Sequence, residues 1–550
     1  MPLPPPPEAN ARVRPPRPSL ILTRPPPSEK TQPPLPNQTT EKHYQAAIDG
    51  YTRALELVVG PQKELAAATT ASSAPPLYGN RAFAHIRLEE YGSAIADASD
   101  AIALDPTYVK AYYRRGDANF ALGKFKEALR DLRAAAKVAP RDPDLRRKLS
   151  ECEKAVKRIR FEEALATPEG EVAHVSDSVD LSSMVVEDAY DGPRMEEVAW
   201  AEAAQQYGPA GEAAVATAQP AGSAPLPPDA KVCVVTPGFV EAMVERFRNG
   251  KLVHRKYALA IVLAARYMLK RLPSLVDVPV PPSQHITVCG DVHGQFFDLL
   301  NIWTLNGRPS EENPYLFNGD FVDRGSWSVE VALSLFAYKI CFPSALHLTR
   351  GNHEAHSMNK IYGFDGEVRA KYPGGSTLLD CFREAFNWLP LGYVLGEKVL
   401  VVHGGLFSED GVTLDDLRKV DRNREPPDEG LMCEALWSDP APGHGRMPSK
   451  RGVGLQFGED VTREFLDRNG LELVVRSHEV KEEGYEVAHG GRLVTVFSAP
   501  NYCDAMGNKG AFIRFEGGEM VPHFTTFEAV AHPDVKPMAY ASSFLSQGGF

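Results

Sequence analysis

The sequence predicts a multidomain chain in which an all-α repeat array precedes an α/β domain. A helical pattern recurs every 34 residues in the first third of the chain. Short apolar runs in the second half each end in Asp, His or Asn. The length of 550 residues also exceeds what one hydrophobic core organises, so about two to four domains are expected.

The composition of the chain argues against several classes of function. Hydrophobic residues make up 43% of the chain and charged residues 24%, which is typical of a soluble globular protein. The net charge of −12 argues against a general nucleic-acid or anionic-membrane binder. The sequence has neither a membrane-length apolar run nor an N-terminal signal peptide. Seven cysteines without a CxxC pair indicate reduced thiols in a cytoplasmic or nuclear protein.

The N-terminal region divides into a tail and a repeat. Residues 1–36 contain 14 prolines, so a disordered proline-rich tail is expected over 1–40. After it, residues 76–106 align with residues 110–140 at a spacing of 34. The matched pairs include Tyr78 with Tyr112, Arg81 with Arg115, Ala84 with Ala118, and Pro106 with Pro140. This pattern resembles the tetratricopeptide repeat, in which paired antiparallel helices stack into a solenoid.

The repeats are expected over 41–163, with an incomplete first copy. Residues 42–57 resemble the second helix of a repeat, and the proline-rich tail stands where the first helix belongs. Residues 143–163 predict a charged helix that caps the array. The other expected boundaries are an acidic connector and flexible linker over 164–230, a catalytic domain over 231–540 and a C-terminal tail over 541–550.

Five apolar runs in the second domain predict buried strands that each deliver reactive side chains. They are ITVCGDVHGQ, YLFNGDFVDRG, LHLTRGNHEAH, KVLVVHGGLF and LELVVRSHEV. Loops at strand ends, mounted on a rigid sheet, are common places for functional groups. Imidazole, carboxylate and amide donors without thiolate suit Mn, Fe, Zn or Mg. The donors exceed one tetrahedral site, and two ions about 3.5–4 Å apart, bridged by one carboxylate, would use them and clamp a phosphoryl group.

The motifs GDVHGQ, GDFVDRG, RGNHE, HGG and SAPNYC resemble those of the metal-dependent serine/threonine phosphoprotein phosphatases, across about residues 240–540. The repeats in front, with VKPMAYA near the end, resemble the repeat-bearing branch of that family. The resemblance implies a sandwich of two mixed β-sheets flanked by helices. It also implies hydrolysis of phosphoserine and phosphothreonine monoesters on phosphoproteins, by direct attack of a water that bridges two metal ions.

Site residues follow from the same resemblance. It implies that one ion is bound by Asp291, His293 and Asp320, and the other by Asp320, Asn352, His403 and His478. His353 is expected to protonate the leaving alkoxide, with Asp323 orienting its ring. Arg324, Arg451 and Tyr502 are expected to bind the substrate phosphate.

The repeats are expected to bind partners and to restrain the enzyme. Related arrays clamp the acidic C-terminal peptide of the ninety-kilodalton heat-shock chaperone. The residues that match such a clamp are Asn80, Arg87, Lys110 and Arg114, whereas the first Lys and Asn of the clamp belong to the missing helix. The resemblance also implies autoinhibition, with Glu89 facing Arg324, and a monomeric protein.

Two alternatives remain open at this stage. The chain would be another metallophosphoesterase, acting on nucleotides or phosphodiesters, or a catalytically inactive chaperone adaptor. The first shares the metal motifs, and the second is disfavoured because no ligand or acid is substituted. A cysteine-phosphatase mechanism at Cys503 is disfavoured because CDAMGNKGAF has no arginine.

Overall fold

The computed structural model describes residues 36–59, 73–165, 174–223, 226–227 and 229–542. The expected tails at 1–40 and 541–550 therefore lie mostly outside the described residues. Of the N-terminal tail, residues 36–40 belong to the first helix instead. Within the described ranges, no helix is long and apolar enough to cross a membrane.

The N-terminal part is a stack of antiparallel helices, as the repeat predicts. In order they are α1 (Pro36–Val59), α2 (Ala74–Arg87), α3 (Tyr91–Leu104), α4 (Val109–Ala121), α5 (Phe125–Val138) and α6 (Pro143–Leu165). Alanines at the helix crossings, such as Ala94 and Ala128, are fully buried, which allows close approach of the helices.

The period also appears in the polar contacts of the stack. Arg81 binds the Asp97 carboxylate with N–O distances of 2.8 and 2.6 Å. Arg115, 34 residues later, binds Asp131 at 2.8 Å. Both aspartates are buried, and each is paired with an arginine on the preceding helix. The two complete repeats are therefore equivalent in structure as well as in sequence.

The stretch expected to be a flexible linker is instead folded over most of its length. It contains β1 (Glu196–Ala199) and α7 (Trp200–Ala216), and β1 pairs in antiparallel register with β2 (Lys231–Val234), which begins directly after it. Ala213 of α7 is fully buried, and the helix kinks at Gly208, whose φ is +52°. The small residues that resemble a linker in composition permit tight packing of this helix on the catalytic core.

Residues before β1 are also attached to the catalytic core. The backbone N–H of Val175 donates to the Glu384 carboxylate at 2.7 Å, and Arg266 pairs with Asp177 at 2.8 Å. The described residues between 174 and 234 therefore pack as part of the C-terminal domain.

The C-terminal domain is a sandwich of two mixed sheets. The strands are β3 (Leu275–Val278), β4 (His285–Cys289), β5 (Tyr315–Phe317), β6 (Leu346–Leu348), β7 (Gly392–Leu395), β8 (Val399–Val402), β9 (Asp439–Pro440), β10 (Arg446–Pro448), β11 (Leu455–Phe457), β12 (Leu473–Arg476), β13 (Tyr485–Ala488), β14 (Leu493–Val496), β15 (Gly510–Glu516) and β16 (Pro522–Phe527). One sheet of the sandwich has the order β13-β14-β12-β8-β7-β3, and the other β16-β15-β4-β5-β6, while β10-β11-β9 form a separate small sheet. Val288 and Val401, from opposite sheets, share one buried cluster between them.

Helices cover both outer faces. They are α8 (Pro237–Arg248), α9 (Arg255–Lys270), α10 (Phe296–Asn306), α11 (Ser328–Cys341), α12 (His356–Tyr362), α13 (Phe364–Lys371), α14 (Ser376–Asn387), α15 (Leu414–Lys419), α16 (Leu431–Trp437) and α17 (Glu459–Asn469). The largest apolar cluster joins α8, α9, α11 and α14 to β5 and β6. The predicted fold, a helical repeat array followed by an α/β domain with mixed sheets, is confirmed.

Candidate active site

The five predicted strands end at one edge of the sandwich. Strands β4, β5 and β6 are parallel neighbours in one sheet, and β8 and β12 are parallel neighbours in the other. The carboxyl ends of parallel strands meet at the same edge, so the turns after them converge. The structure thus brings together groups that are up to 187 residues apart. For example, the backbone N–H of His478 donates to the Asp291 carboxylate at 3.0 Å.

Six of these side chains form one buried cluster around Asp320. The Asp320 carboxylate lies 3.5 Å from His293 Nε2 and 3.3 Å from His403 Nε2. Asn352 Oδ1 lies 2.9 Å and His478 Nδ1 3.3 Å from the same His403 nitrogen. Asp291 is 3.5 Å from His293. Each of the six is no more than 8% exposed.

Asp320 belongs to two groups of donors that each fit a cation. One group joins it to His293 and His353, and the other joins it to His403 and His478, with donor atoms within 4.8 Å of one another in each. His478 Nε2 is buried and has no hydrogen-bond partner among the described residues, which fits the chemistry of a metal-ligating imidazole. The donor set therefore fits a pair of metal ions that share the Asp320 carboxylate.

Backbone contacts orient two of the imidazoles. His293 Nδ1 lies 3.0 Å from the carbonyl oxygen of Val322, and His403 Nδ1 lies 2.8 Å from that of Asn318. A carbonyl oxygen accepts only from a protonated nitrogen, so each Nδ1 donates and each Nε2 is turned toward the cluster.

The electrostatics of the cluster favour bound cations. Burial alone would raise the pKa of Asp320, yet His403 and His353 hold it far below its ordinary value. Burial lowers the pKa of His403, but Asp320 and Asp291 more than compensate and raise it to about 9. Burial together with Arg451 and His403 keeps the pKa of His478 well below its ordinary value. Carboxylates surrounded by imidazole donors form a site that suits a divalent cation.

The backbone around the cluster is strained where the side chains turn inward. Non-glycine residues His293, Asp320 and His478 have φ values of +46°, +50° and +70°. Such conformations persist only where the surrounding structure enforces them, and they are common at functional sites. Gly351 allows one of these turns, because a Cβ there would lie 2.2 Å from the Asp320 carboxylate.

His353 and Asp323 form a buried pair beside the cluster. His353 Nδ1 lies 2.8 Å from Asp323 Oδ2, and neither side chain is more than 7% exposed. Asn359 and the backbone N–H of Phe364 also donate to Asp323, at 3.1 and 2.9 Å. The aspartate is therefore fixed, and it leaves Nε2 of His353 for the cleft.

Three candidate phosphate-binding side chains face the same cleft. They line one cavity of about 370 Å³ together with the donor cluster. The Arg324 guanidinium stacks on Tyr362, with its carbon 4.0 Å from the ring centre. Arg451 donates to Asp439 at 2.7 Å and to the His478 carbonyl oxygen at 3.0 Å. The Tyr502 ring centre is 5.1 Å from that of His293.

The repeats close over this cavity. Glu89, whose φ is +58°, accepts a hydrogen bond from Arg324 Nη2 at 2.6 Å. Although burial lowers the pKa of Arg324, Glu89 and the neighbouring tyrosines raise it above its ordinary value. Lys450 pairs with the adjacent Glu90 at 2.9 Å.

A close backbone contact reinforces the closure. A Cβ on Gly92 would lie 2.4 Å from the backbone nitrogen of Gly452. The backbone N–H of Ser93 donates to the Lys450 carbonyl oxygen at 3.0 Å. The loop over residues 449–452 is thus seated directly on the start of α3.

The four candidate partner-binding residues lie on the inner helices of the repeats. Arg87, Lys110 and Arg114 line a second cavity of about 390 Å³. Asn80 lies at its edge, where its side-chain oxygen accepts from Arg114 at 3.4 Å. Lys148 of α6 also lines this cavity and pairs with Asp117 at 2.6 Å.

Sequence reasoning missed the residues that support the cluster. Asn318 donates to the Val402 carbonyl oxygen at 2.8 Å and to Ser477 at 2.9 Å, tying the two sheets together. Glu354 accepts from the backbone N–H groups of Asp320, Phe321 and Gly351 at 2.8 Å each. Glu354 is the last letter of RGNHE, so the motif contained the signal without indicating its role. Lys148 had no signal beyond its place on the capping helix.

Cys503 lies in the cleft without nucleophilic character. Burial raises the pKa of its thiol to about 12, although Arg324 opposes the shift. A thiol in that state is not a thiolate at neutral pH. The rejection of a cysteine-phosphatase mechanism therefore agrees with the environment of this residue.

Comparisons with known proteins cover most of the chain. Residues 284–482 match the model of the calcineurin-like phosphoesterases, 149–277 that of the PPP5 TPR repeat region and 109–142 that of the tetratricopeptide repeat. The chain is 50% identical over 507 residues to serine/threonine-protein phosphatase 5 of Homo sapiens, covering 92% of this chain and 91% of that protein. It is 54% identical over 552 residues to the protein of that name from Solanum lycopersicum, covering 93% and 96%.

A solved structure supports the same relationship. It is a protein serine/threonine phosphatase from Saccharomyces cerevisiae, with 44% identity and a TM-score of 0.54. The match covers 55% of this chain and 99% of that one.

Proposed function

Since the chain belongs to the serine/threonine-protein phosphatase 5 family, we propose that it hydrolyses phosphoserine and phosphothreonine monoesters on proteins, using a pair of divalent metal ions. The observation that carries the proposal is the position of Asp320. Its carboxylate lies within 3.5 Å of two imidazoles, His293 and His403, that belong to different donor groups.

The metal pair would be held by the six-residue cluster. Asp291, His293 and Asp320 hold one ion, and Asp320, Asn352, His403 and His478 hold the other. Bound Mn, Fe, Zn or Mg ions at such a site lower the pKa of water and neutralise phosphate charge. Asn318 and Glu354 keep the surrounding turns in register for this task, because each binds backbone groups of the loops that carry the ligands.

His353 is proposed to give a proton to the departing serine or threonine oxygen. An alkoxide is a poor leaving group unless it is protonated. The Asp323 contact at 2.8 Å fixes the ring and stabilises its charged form. His353 also lies within ligand distance of His293 and Asp320, so retention of metal in a His353 variant separates the acid role from a ligand role.

Arg324, Arg451 and Tyr502 are proposed to hold the substrate phosphate. Arg324 has a planar guanidinium fixed by the Tyr362 ring, which suits two-point binding of phosphate oxygens. Arg451 is held by Asp439, which in turn is bound to the fully buried Arg476. Tyr502 completes the same wall of the cleft.

The repeats are proposed to inhibit the enzyme in the closed state. Glu89 occupies the Arg324 guanidinium that a phosphate would need, and the cavity that holds the donor cluster is walled by residues of α2 and α3. A phosphoprotein would reach the cluster only after the repeats move.

The groove lined by Arg87, Lys110 and Arg114 is proposed to bind the acidic C-terminal peptide of the ninety-kilodalton heat-shock chaperone. Its four cationic side chains, Arg87, Lys110, Arg114 and Lys148, outnumber the three aspartates that also line it and support this proposal, with Asn80 beside Arg114. Lys110→Ala and Arg114→Ala are each expected to weaken binding of an acidic C-terminal peptide about 10-fold by calorimetry, since each loses a charge-assisted contact. A cytoplasmic and nuclear location and a monomeric state are also proposed, and free thiols at all seven cysteines agree with the former.

A comparison of substrates tests the central proposal. Metal-loaded full-length protein should hydrolyse a phosphoserine peptide much faster than bis-p-nitrophenyl phosphate, a diester. The reverse order of rates would indicate a phosphodiesterase instead. Exhaustive chelation should abolish turnover, and added Mn²⁺ should restore it. Turnover that survives chelation would contradict the metal-dependent mechanism.

A further inference from the structure

A segment near the C-terminus crosses the loop that carries Arg324. Residues 530–542, named here the C-terminal strap, contain neither helix nor strand. They are nevertheless bound to the catalytic domain at both ends. Val530 donates its backbone N–H to Asp298 at 3.0 Å, and Ser542 donates its own to the Ile361 carbonyl oxygen at 3.0 Å.

The central part of the strap binds the Arg324 loop directly. The backbone N–H of Met538 donates to the carbonyl oxygen of Arg324 at 2.7 Å. Ser326 Oγ donates to the carbonyl oxygen of Lys536, also at 2.7 Å. These two hydrogen bonds flank Gly325 and hold the loop on either side of it.

The Arg324 loop needs such support because its backbone is strained. Asp323 and Arg324 have successive φ values of +69° and +68°, and neither residue is glycine. Left-handed conformations at two adjacent non-glycine residues persist only if surrounding contacts enforce them. On the other side of the loop, the backbone N–H of Arg324 donates to Tyr362 O at 3.0 Å.

Packing of the strap reaches the guanidinium as well as the backbone. The Met538 side chain is 9% exposed and lies in one apolar cluster with Ile361 and Tyr362. Tyr362 is the ring on which Arg324 stacks. The strap also fits closely beyond this point, since a Cβ on Gly366 would lie 2.3 Å from the Tyr540 carbonyl oxygen.

We propose that the C-terminal strap is a positioning element of the active site, which fixes the backbone and the stacking ring of Arg324 so that its guanidinium is set to bind the substrate phosphate. This inference rests on the proposed function, in which Arg324 contacts phosphate. It assigns positioning roles to Ser326 and Met538, neither of which touches the substrate.

Phosphate affinity tests the proposal without depending on turnover. Calorimetry would measure the Kd of inorganic phosphate for Mn²⁺-loaded, full-length protein carrying Glu89→Gln, which removes the competing carboxylate. Ending the chain after Val535 should weaken binding about 10-fold, and Ser326→Ala about 3-fold, since a charge-assisted contact loses its alignment. The matched control is Lys536→Ala, because that side chain is exposed and only its carbonyl oxygen is used. Its Kd should stay unchanged.

Non-additivity separates positioning from general support of the fold. In an Arg324→Ala background, the chain ended after Val535 and the Ser326→Ala variant should each weaken phosphate binding less than about 2-fold. The residue through which they act is then gone. Equal losses with and without Arg324, or no loss with Arg324 present, would overturn the proposal. If the shortened chain fails to fold, as judged by its Tm, the Ser326→Ala pair decides alone.

The Lys536→Ala control also distinguishes failure of the proposed phosphatase function from failure of the strap proposal. A Lys536→Ala protein that binds phosphate but does not hydrolyse a phosphoserine peptide would remove the proposed function. The strap would still be judged by the ratio of phosphate affinities.

Discussion

Removing the Glu89 carboxylate should activate the full-length protein. The perturbation is Glu89→Gln, which keeps the size of the side chain and deletes the charge that pairs with Arg324 at 2.6 Å. Arg324 is 4% exposed, whereas Glu89 is 29% exposed. A charged hydrogen bond contributes about 1.5–3 kcal/mol, and the partial exposure of Glu89 favours the lower end of that range.

A loss of about 1.5 kcal/mol shifts the equilibrium between closed and open repeats about 10-fold toward the open state. If the closed state dominates, kcat/KM for a phosphoserine peptide should rise by about the same factor. The rise should be confined to the full-length chain. A chain that lacks residues 1–173 already exposes Arg324 and lacks Glu89, so its kcat/KM sets the upper limit.

Glu90→Gln is the matched control for this experiment. Glu90 is the neighbouring acid, but its partner Lys450 is 54% exposed, so their ion pair is worth less than about 1 kcal/mol. Glu90→Gln should therefore raise kcat/KM less than Glu89→Gln does, by about 5-fold or less. The reasoning would be refuted by equal activation in the two variants, or by none in Glu89→Gln.

Other predictions address the chemistry, the closure and the stability. His353→Asn should lower kcat by about 100-fold or more while bound metal, measured by mass spectrometry, stays the same; loss of metal would instead indicate a ligand. Gly92→Ala should raise phosphopeptide turnover several-fold, because the new Cβ would lie 2.4 Å from Gly452 N and lift the repeats; unchanged turnover would contradict the closure. Burial raises the pKa of Glu330 from 4.5 to about 7, although Lys371 opposes the shift. The contribution of the Glu330 carboxyl to stability is therefore present below pH 4.5 and lost as the pH rises through 7. Glu330→Gln should flatten that fall in Tm, which corresponds to about 3 kcal/mol for a shift from 4.5 to about 7; an unaltered pH profile would exclude the shifted carboxyl.

The donor residues could be predicted because their signal is local. Each reactive group follows an apolar run by a few residues, and parallel strands bring such turns to one edge. The pairing of Arg81 with Asp97 was less accessible, since only the spacing of 34 residues marks its equivalence to the pair at Arg115.

The connector and the supporting residues could not be predicted from composition or spacing. Small residues such as the alanines over 206–230 occur in linkers, and they also permit close packing of a helix, so composition alone does not distinguish the two. The contacts of Asn318 and the strap span long stretches of sequence, for example Ser326 to Lys536, and neither has a motif. Left-handed backbone at Arg324 likewise depends on tertiary contacts rather than on residue type.

Because the described residues from His174 onward pack on the catalytic domain, the connection between the repeats and that domain is short. Only eight residues separate the end of α6 at Leu165 from His174. Nine peptide steps span at most about 30 Å when fully extended, so Leu165 stays within that distance of His174 wherever the repeats move. A tether this short corresponds to a local concentration in the millimolar range. A phosphoprotein that binds Arg324 must therefore compete with Glu89 of the repeats, whose local concentration does not fall when the protein is diluted.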